Sequence, residues 1–141
     1  MRVLVDSTVW VDFFRGRQTP HTRRLKELLA AGVDISVCGH VWAEVIRGTR
    51  HDEQYAKVLR RFRVLDFLPM DRRDFTKAAD IYRHLRRRGL TLKNTVDTFI
   101  AAAALRHNVH LLHNDSDFDL IAGEFPLRIV PTDPPQSTQS E

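Results

Sequence analysis

The sequence has a single cysteine, Cys38, among its 141 residues. One thiol cannot form an intrachain disulfide, which excludes a small disulfide-stapled domain and favours a reducing compartment such as the cytoplasm. No apolar run reaches the roughly 20 residues that cross a bilayer, so no membrane association is expected. Asp6 and Asp12 interrupt the N-terminal apolar stretch, which is not typical of a secretory signal peptide.

The chain also lacks internal repeats and any linker-like stretch that would separate two domains. With 43% hydrophobic and 28% charged residues, it has the composition of a globular protein that can bury a hydrophobic core. We therefore expect one domain over residues 1–131. Residues 132–141 carry no large apolar side chain that could anchor them and are expected to form a disordered tail.

Basic residues exceed acidic ones, giving a net charge of +4 and a pI of about 9.7. This modest excess is compatible with nucleic-acid binding without establishing it. The arginines collect in RRFR at 60–63 and in RRR at 86–88, whereas several acids fall at the junctions between predicted elements. The RRR run is equally typical of a solvated helix end, which the helix dipole favours.

Apolar strands alternate with amphipathic helices along the chain. The pattern predicts strands at 2–5, 34–38, 64–69, 109–113 and 127–130, and helices at 8–15, 21–32, 40–47, 52–62, 71–88, 95–107 and 117–122. Such alternation is typical of an α/β fold, here a central, mostly parallel five-stranded sheet flanked by helices in three layers. Ligands of such sheets bind beyond the carboxyl ends of the strands.

Four acidic residues map to that edge of the sheet. Asp6 directly follows the first strand, Glu44 lies on the helix after the second, Asp97 is in the first turn of an alanine-rich helix, and Asp115 follows the fourth strand. Each has an ordinary explanation by itself, such as helix capping, the helix dipole or a solvated helix face. Their coincidence at one edge, from four separate segments, favours a functional cluster.

Clustered carboxylates raise each other's pKa unless a cation lies between them. All-oxygen sites suit hard divalent ions such as Mg²⁺ or Mn²⁺. Zinc is disfavoured because Cys38 and His40 have no partner pair at the usual zinc spacing. His110 and His113 lie three apart on a strand, which places them on opposite faces.

Four blocks of sequence occur in a characteristic order: VLVDSTVWVDFFRG, AEVIRG, TVDTFIAAAAL and VHLLHNDSDFD. Together they resemble PIN-domain ribonucleases, and most closely the VapC toxins of bacterial toxin–antitoxin pairs. The resemblance spans residues 3–130 and implies a PIN-like fold. It implies that Asp6, Glu44, Asp97 and Asp115 are the catalytic residues and metal ligands.

The resemblance also implies an activity and partners. It implies an endoribonuclease that depends on Mg²⁺, with Mn²⁺ as a substitute, held inactive by a VapB-type antitoxin and usually dimeric. A metal-activated water would attack an RNA phosphate in line. Arg15, Arg47 and the segment 86–93 are candidates to hold flanking phosphates. His113 stands where the family often has Thr or Ser, which leaves the hydrogen bonding around Asp115 open.

Two further roles are expected outside the four acids. Asp117 is expected to cap the helix that follows the fourth strand, because aspartate is a favoured N-cap residue. An arginine from a partner could pair with the acidic cluster, but one ion pair cannot supply tight binding. The partner is therefore also expected to dock an apolar element near Trp10, Phe13, Phe14 or Trp42. The alternative is that most of these aromatic residues belong to the core.

Two other classes of protein remain open from the sequence. A haloacid-dehalogenase-type phosphohydrolase also begins with a strand that ends in aspartate, but it needs a second aspartate at the position of Thr8. A catalytically inactive PIN-like module that binds RNA or a partner is the other alternative. Such a module usually loses one acid, whereas all four matching positions are acidic here.

Overall fold

The computed structural model describes residues 1–132 of the chain, so most of the expected tail at 132–141 lies outside the described residues. Four strands form a parallel sheet: β1 (Arg2–Val5), β2 (Asp34–Cys38), β3 (Asp66–Leu68) and β4 (His110–Leu112). Their order is β3-β2-β1-β4. The two central strands are apolar along most of their length because helices cover both faces of a parallel sheet.

Seven helices connect and cover the strands in the described residues. They are α1 (Ser7–Phe14), α2 (Pro20–Ala30), α3 (Gly39–Arg47), α4 (Asp52–Arg63), α5 (Arg72–Arg87), α6 (Val96–Arg106) and α7 (Ser116–Glu124). No helix within residues 1–132 is long and apolar enough to cross a membrane. The α/β class, the parallel sheet and the flanking helices predicted from the sequence are confirmed.

The fifth strand expected at 127–130 does not form, so the prediction of five strands was wrong. This segment makes a single bridge between Ile129 and Leu111, with two backbone hydrogen bonds of 2.8 Å from Leu111 N to Arg128 O and from Val130 N to Leu111 O. Pro126 and Pro131 bracket the segment. Because proline has a fixed φ and no N–H donor, the pairing cannot extend in either direction.

Helix α5 presents a different face to the core from the one expected. Hydrophobic periodicity predicts a buried stripe made of Phe75, Ala78, Ala79, Tyr82 and Leu85. Ala78 and Leu85 are buried, but Phe75 and Tyr82 are 45% and 37% exposed. The helix instead buries Asp74, whose carboxylate pairs with both Nε and one terminal nitrogen of Arg106 at 2.6 and 2.8 Å. This bidentate pair between α5 and α6 sets the rotation of α5, because a buried carboxylate needs a charged partner.

The alanine run of α6 lies in the centre of the molecule. Residues 101–104 are at most 1% exposed, and α6 packs against α3, α5, α7 and β4. Small side chains let the helix approach these neighbours closely. The run therefore determines how near the N-terminus of α6, which carries Asp97, lies to the sheet.

Enlarging the alanine run should destabilise the fold. We expect Ala102→Leu to lower the free energy of unfolding by about 1–3 kcal/mol, because added methyl groups have no space in a packed interior. Ala79→Leu on the exposed face of α5 is the matched control and should change it by less than about 0.5 kcal/mol. Urea unfolding of both variants measures this. Equal stabilities would contradict close packing of α6.

Candidate functional site

Asp6 lies where the two neighbouring strands β1 and β4 end together. Its backbone N–H donates to Leu112 O of β4 at 2.9 Å, and its side chain is 3% exposed. Asp6 stands at the N-cap position of α1, but its carboxylate makes no capping hydrogen bond. It accepts instead from Thr8 Oγ1 at 3.0 Å. Helix capping therefore does not account for this aspartate.

Three further carboxylates converge at the same edge of the sheet. Oxygen atoms of Asp97, Asp115 and Asp117 lie within 4.8 Å of one another. Asp97 is 5% exposed, and its Oδ2 has no hydrogen-bond partner. Such an orphaned buried oxygen is costly unless a proton or a cation satisfies it.

Asp115, and not Asp117, caps helix α7. Asp115 is the N-cap residue of α7, and its Oδ1 accepts from Asp117 N at 2.9 Å. Asp117, which is 1% exposed, accepts from the backbone N–H groups of Lys93 and Asn94 at 2.9–3.1 Å. The prediction that Asp117 caps the helix was wrong, because its side chain turns back towards the loop before α6.

Glu44 stands at the side of the site nearest α1. It is half-buried on α3, and its Oε1 accepts from Ser7 Oγ at 3.0 Å. The charge of Glu44 helps to raise the pKa of Asp6, so the two carboxylates are close enough to interact electrostatically. Neither belongs to the group of three whose oxygens lie within 4.8 Å of one another. The structure thus brings the four predicted acids to one edge and adds Asp117.

The electrostatics of the cluster oppose full ionisation. Burial, together with the charges of Glu44 and Asp115, raises the pKa of Asp6 to about 6. Burial, together with the charges of Asp6 and Asp115, raises the pKa of Asp97 to about 8. Without a cation, these carboxylates cannot all carry their charge at neutral pH.

The donor set fits a hard divalent ion. It consists of carboxylate oxygens, and one of them, Asp97 Oδ2, has no partner in the protein. The two residues considered for zinc are poorly suited to bind it. Burial raises the pKa of the Cys38 thiol to about 11, which disfavours the thiolate that zinc binds, and the His40 ring stacks on Phe99. Carboxylates without thiolate or imidazole favour Mg²⁺ or Mn²⁺ over zinc.

His113 supports one of these acids through the backbone. It is 7% exposed, and its Nδ1 accepts from Asp115 N at 3.0 Å. A threonine or serine hydroxyl could accept the same hydrogen bond. Histidine therefore replaces the hydroxylic residue of the family without leaving this N–H unpaired.

Within the described part of the chain, the cationic side chain that reaches these acids is Lys93. Of the lysines and arginines in residues 1–132, Lys93 alone has a nitrogen within 4 Å of them, with its Nζ 3.7 Å from Asp115 Oδ1. Arg15 lines a cleft with Gly48 and Thr49. Arg88 pairs with Glu124. No arginine within residues 1–132 thus pairs with these acids, whereas Lys93 belongs to the segment 86–93 expected to hold phosphates.

Comparison with known proteins identifies the family. The family profile described as "PIN domain" matches residues 3–124. "Ribonuclease VapC11" of Mycobacterium tuberculosis is 34% identical over 122 residues, which cover 85% of this chain and 91% of the relative. The chain therefore belongs to the PIN domain family. Membership of this family excludes the alternative of a haloacid-dehalogenase-type phosphohydrolase.

Further relatives share the fold. "Ribonuclease VapC51" of M. tuberculosis is 27% identical over 122 residues, 86% of each chain. The structure "Crystal structure of VapBC2 from Rickettsia felis bound to a DNA fragment from their promoter" superposes with a TM-score of 0.74 at 23% identity, covering 94% of this chain and 100% of the other. The structure of M. tuberculosis VapC20, titled a "Sarcin-Ricin loop cleaving toxin", has a TM-score of 0.59 at 17% identity and covers 87% and 95%.

The raised pKa of Asp97 predicts a dependence of stability on pH. Since a solvated aspartate has a pKa of about 4 and folded Asp97 one of about 8, only the folded chain keeps this proton between those values. The free energy of unfolding of metal-free protein should therefore fall as pH rises from about 4 to about 8. Thermal melts in EDTA measure this.

The Asp97→Asn variant should lack this dependence of stability on pH, so it is compared with wild type. At pH 8 in EDTA, this variant should melt above wild type, and millimolar Mn²⁺ should stabilise wild type more than the variant, because an ion that binds only the folded state stabilises it. The exposed control Asp80→Asn should follow wild type. A variant that melts below wild type at pH 8 would contradict the assigned environment of Asp97.

Proposed function

We propose that this chain is a metal-dependent endoribonuclease, the toxin of a type II toxin–antitoxin pair, acting in the cytoplasm. The observation that carries the proposal is the convergence of carboxylates around the unpartnered Asp97 Oδ2. The relatives named as VapC ribonucleases support RNA as the substrate. All four acids of the family pattern are present, which favours an enzyme over an inactive binding module.

The acids divide into two roles. Asp6, Asp97 and Asp115 would hold Mg²⁺ or Mn²⁺, with Glu44 bound directly or through water. When bound, such an ion lowers the pKa of water and offsets the charge that develops on the phosphate. Glu44, whose carboxylate is oriented by Ser7 Oγ, is placed to orient the attacking water. The oxygen of that water would bond to phosphorus as the bond to the 3′ oxygen breaks, and the 3′ oxygen would leave with a proton that came from the water. No protein nucleophile is needed.

Loss of single acids tests the site. We expect Asp6→Asn and Asp97→Asn each to reduce cleavage of total RNA in Mg²⁺ or Mn²⁺ by at least roughly 100-fold, because each removes a metal ligand. Asp80→Asn, an exposed acid on α5, should keep wild-type activity. Circular dichroism confirms that the variants fold.

A chelator experiment distinguishes a metal-dependent nuclease from a catalytically inactive binding module. Wild-type cleavage should stop in EDTA and return on addition of excess Mn²⁺. Wild-type rates in either acid variant would reject the site assignment. RNA that stays intact with wild type and metal, while the protein still binds it, would favour the inactive module.

We propose a groove beside α1 as the docking site of a VapB-type antitoxin. The groove, of about 560 Å³, is lined by Phe13, Phe14, Lys26, Lys57, Arg60, Arg61 and Val64. Its apolar floor and basic rim suit an amphipathic segment with acidic flanks. Trp10 lies beneath it in the core at 0% exposure, so of the aromatic residues on α1 only Phe13 and Phe14 are available to a partner. Structural neighbours solved as VapBC complexes support such a partner.

A second apolar surface fits a homodimer. Phe67 and Phe75 are 53% and 45% exposed, and with His40 and Met70 they line a groove of about 350 Å³ between α3, β3 and α5. We call this the aromatic face. A two-fold interface places a surface against itself, which the basic groove would oppose by like-charge repulsion. The aromatic face carries no Lys, Arg, Asp or Glu in its groove lining, so it is the better candidate.

Charges on the aromatic face should dissociate the dimer. We expect Phe67→Asp combined with Phe75→Asp to give a monomer by light scattering, because self-association would then bury like charges. Tyr55→Asp on α4, a residue 46% exposed, is the matched control and should leave the mass unchanged. A monomeric wild type, or a double variant that stays dimeric, would contradict the assignment.

A further inference from the structure

Lys93 has an exposed side chain on a backbone that is held by hydrogen bonds. Its side chain is 70% exposed, while its backbone N–H donates to both carboxylate oxygens of Asp117 at 3.0–3.1 Å. Asn94 N donates to Asp117 Oδ2 at 2.9 Å, and Asn94 Oδ1 accepts from Val96 N at the start of α6. The main chain at Lys93 is thereby held by a buried carboxylate, and only the side chain is free to move.

The ammonium of Lys93 lies at the mouth of the carboxylate cluster. Its Nζ is 3.7 Å from Asp115 Oδ1, and Asp115 is one of the three acids whose oxygens converge. A phosphate bound to an ion at that position would lie within reach of the same ammonium, because the lysine stem is long and flexible. Lysine binds phosphate as a point charge, without the fixed geometry that arginine requires.

The charge of the cluster requires such a group. A phosphodiester brings a further negative charge to a site built of five carboxylates, and one divalent ion offsets only part of this repulsion. Within residues 1–132, no other lysine or arginine nitrogen lies within 4 Å of these acids. Lys93 is therefore the side chain placed to offset the charge of the phosphate.

We propose that Lys93 binds the RNA phosphate at the reaction site and that Asp117, by holding the backbone of Lys93 and Asn94, is the positioning residue for this contact. This inference rests on the proposed function. Lys93 exchanges its ion pair with Asp115 for the phosphate when RNA binds. Asp117 acts through the loop, so its carboxylate is not required as a metal ligand.

The test measures RNA binding apart from cleavage. In an Asp6→Asn background with Mn²⁺, the affinity for a fluorescent 12-nucleotide single-stranded RNA of mixed sequence is measured against salt concentration. Lys93→Met should weaken binding about 5- to 10-fold and reduce the slope of log affinity against log salt by about 1, as expected for one lost phosphate contact. Lys93→Arg should recover most of the affinity, since the charge remains.

Two further variants control the interpretation. Lys77→Met removes an exposed lysine that lies over the Phe125 ring and should lose less than about 2-fold, because it contacts none of the acids. Asp117→Leu should reproduce the loss of Lys93→Met, whereas Asp117→Asn, which keeps an acceptor for the loop, should retain more affinity. Calorimetric titration with Mn²⁺ in the absence of RNA, with Asp6 intact, should give similar metal affinity for Lys93→Met and wild type.

The outcomes separate this inference from the proposed function. Mn²⁺-dependent cleavage by the wild type, absent in Asp6→Asn, establishes the nuclease. If Lys93→Met then binds RNA with the parent's affinity and salt slope, the inference fails while the nuclease stands. A Lys93→Met variant that loses Mn²⁺ binding would also overturn it, because Lys93 would then support the metal site rather than the phosphate. Absence of any cleavage by the wild type would reject the proposed function itself.

Discussion

Mutual repulsion among carboxylates is the constraint on which the rest of this structure depends. A parallel sheet brings the ends of its neighbouring strands to one edge, and here acidic residues follow both β1 and β4. Burial raises the pKa of Asp6 and Asp97 to about 6 and about 8, so a proton or a cation must offset part of the negative charge at this edge. The buried carboxylates at this edge lower the stability of the fold, as is common where a site is organised for chemistry.

The surrounding structure holds the acids in spite of this repulsion. The buried alanines of α6 bring Asp97 close to the sheet, and the hydrogen bonds of Asp117 hold the loop that precedes that helix. His113 and Ser7 fix two other acids by single hydrogen bonds. Each of these supports comes from outside the four acids of the family pattern, so the geometry of the site is a property of the whole domain.

Much of this arrangement was predictable from the sequence, because it follows from periodicity and order along the chain. Apolar runs and helix caps located the strands and helices, and the rule that ligands bind beyond strand ends located Asp6 and Asp115. The sequence placed Lys93 in a segment expected to hold phosphates, but its ion pair with Asp115 and the hydrogen bonds of Asp117 to its loop were not predictable. Both depend on how that loop folds back on a distant helix. The spacing of Asp115 and Asp117 after a strand was a signal, but capping explained it equally well. The rotation of α5 depended on the buried pair of Asp74 with Arg106, which hydrophobic periodicity does not report.

The strand order has a consequence for how the protein is made. Strand β1 begins at the second residue, yet one of its two partners, β4, ends at Leu112. Such a pairing joins distant parts of the chain and forms late in folding. During synthesis, Asp6 leaves the ribosome long before Asp115, so the nascent chain cannot assemble the carboxylate cluster until translation has passed Asp115. The acidic site of a nuclease with this topology therefore forms only after β4 has emerged and paired with β1.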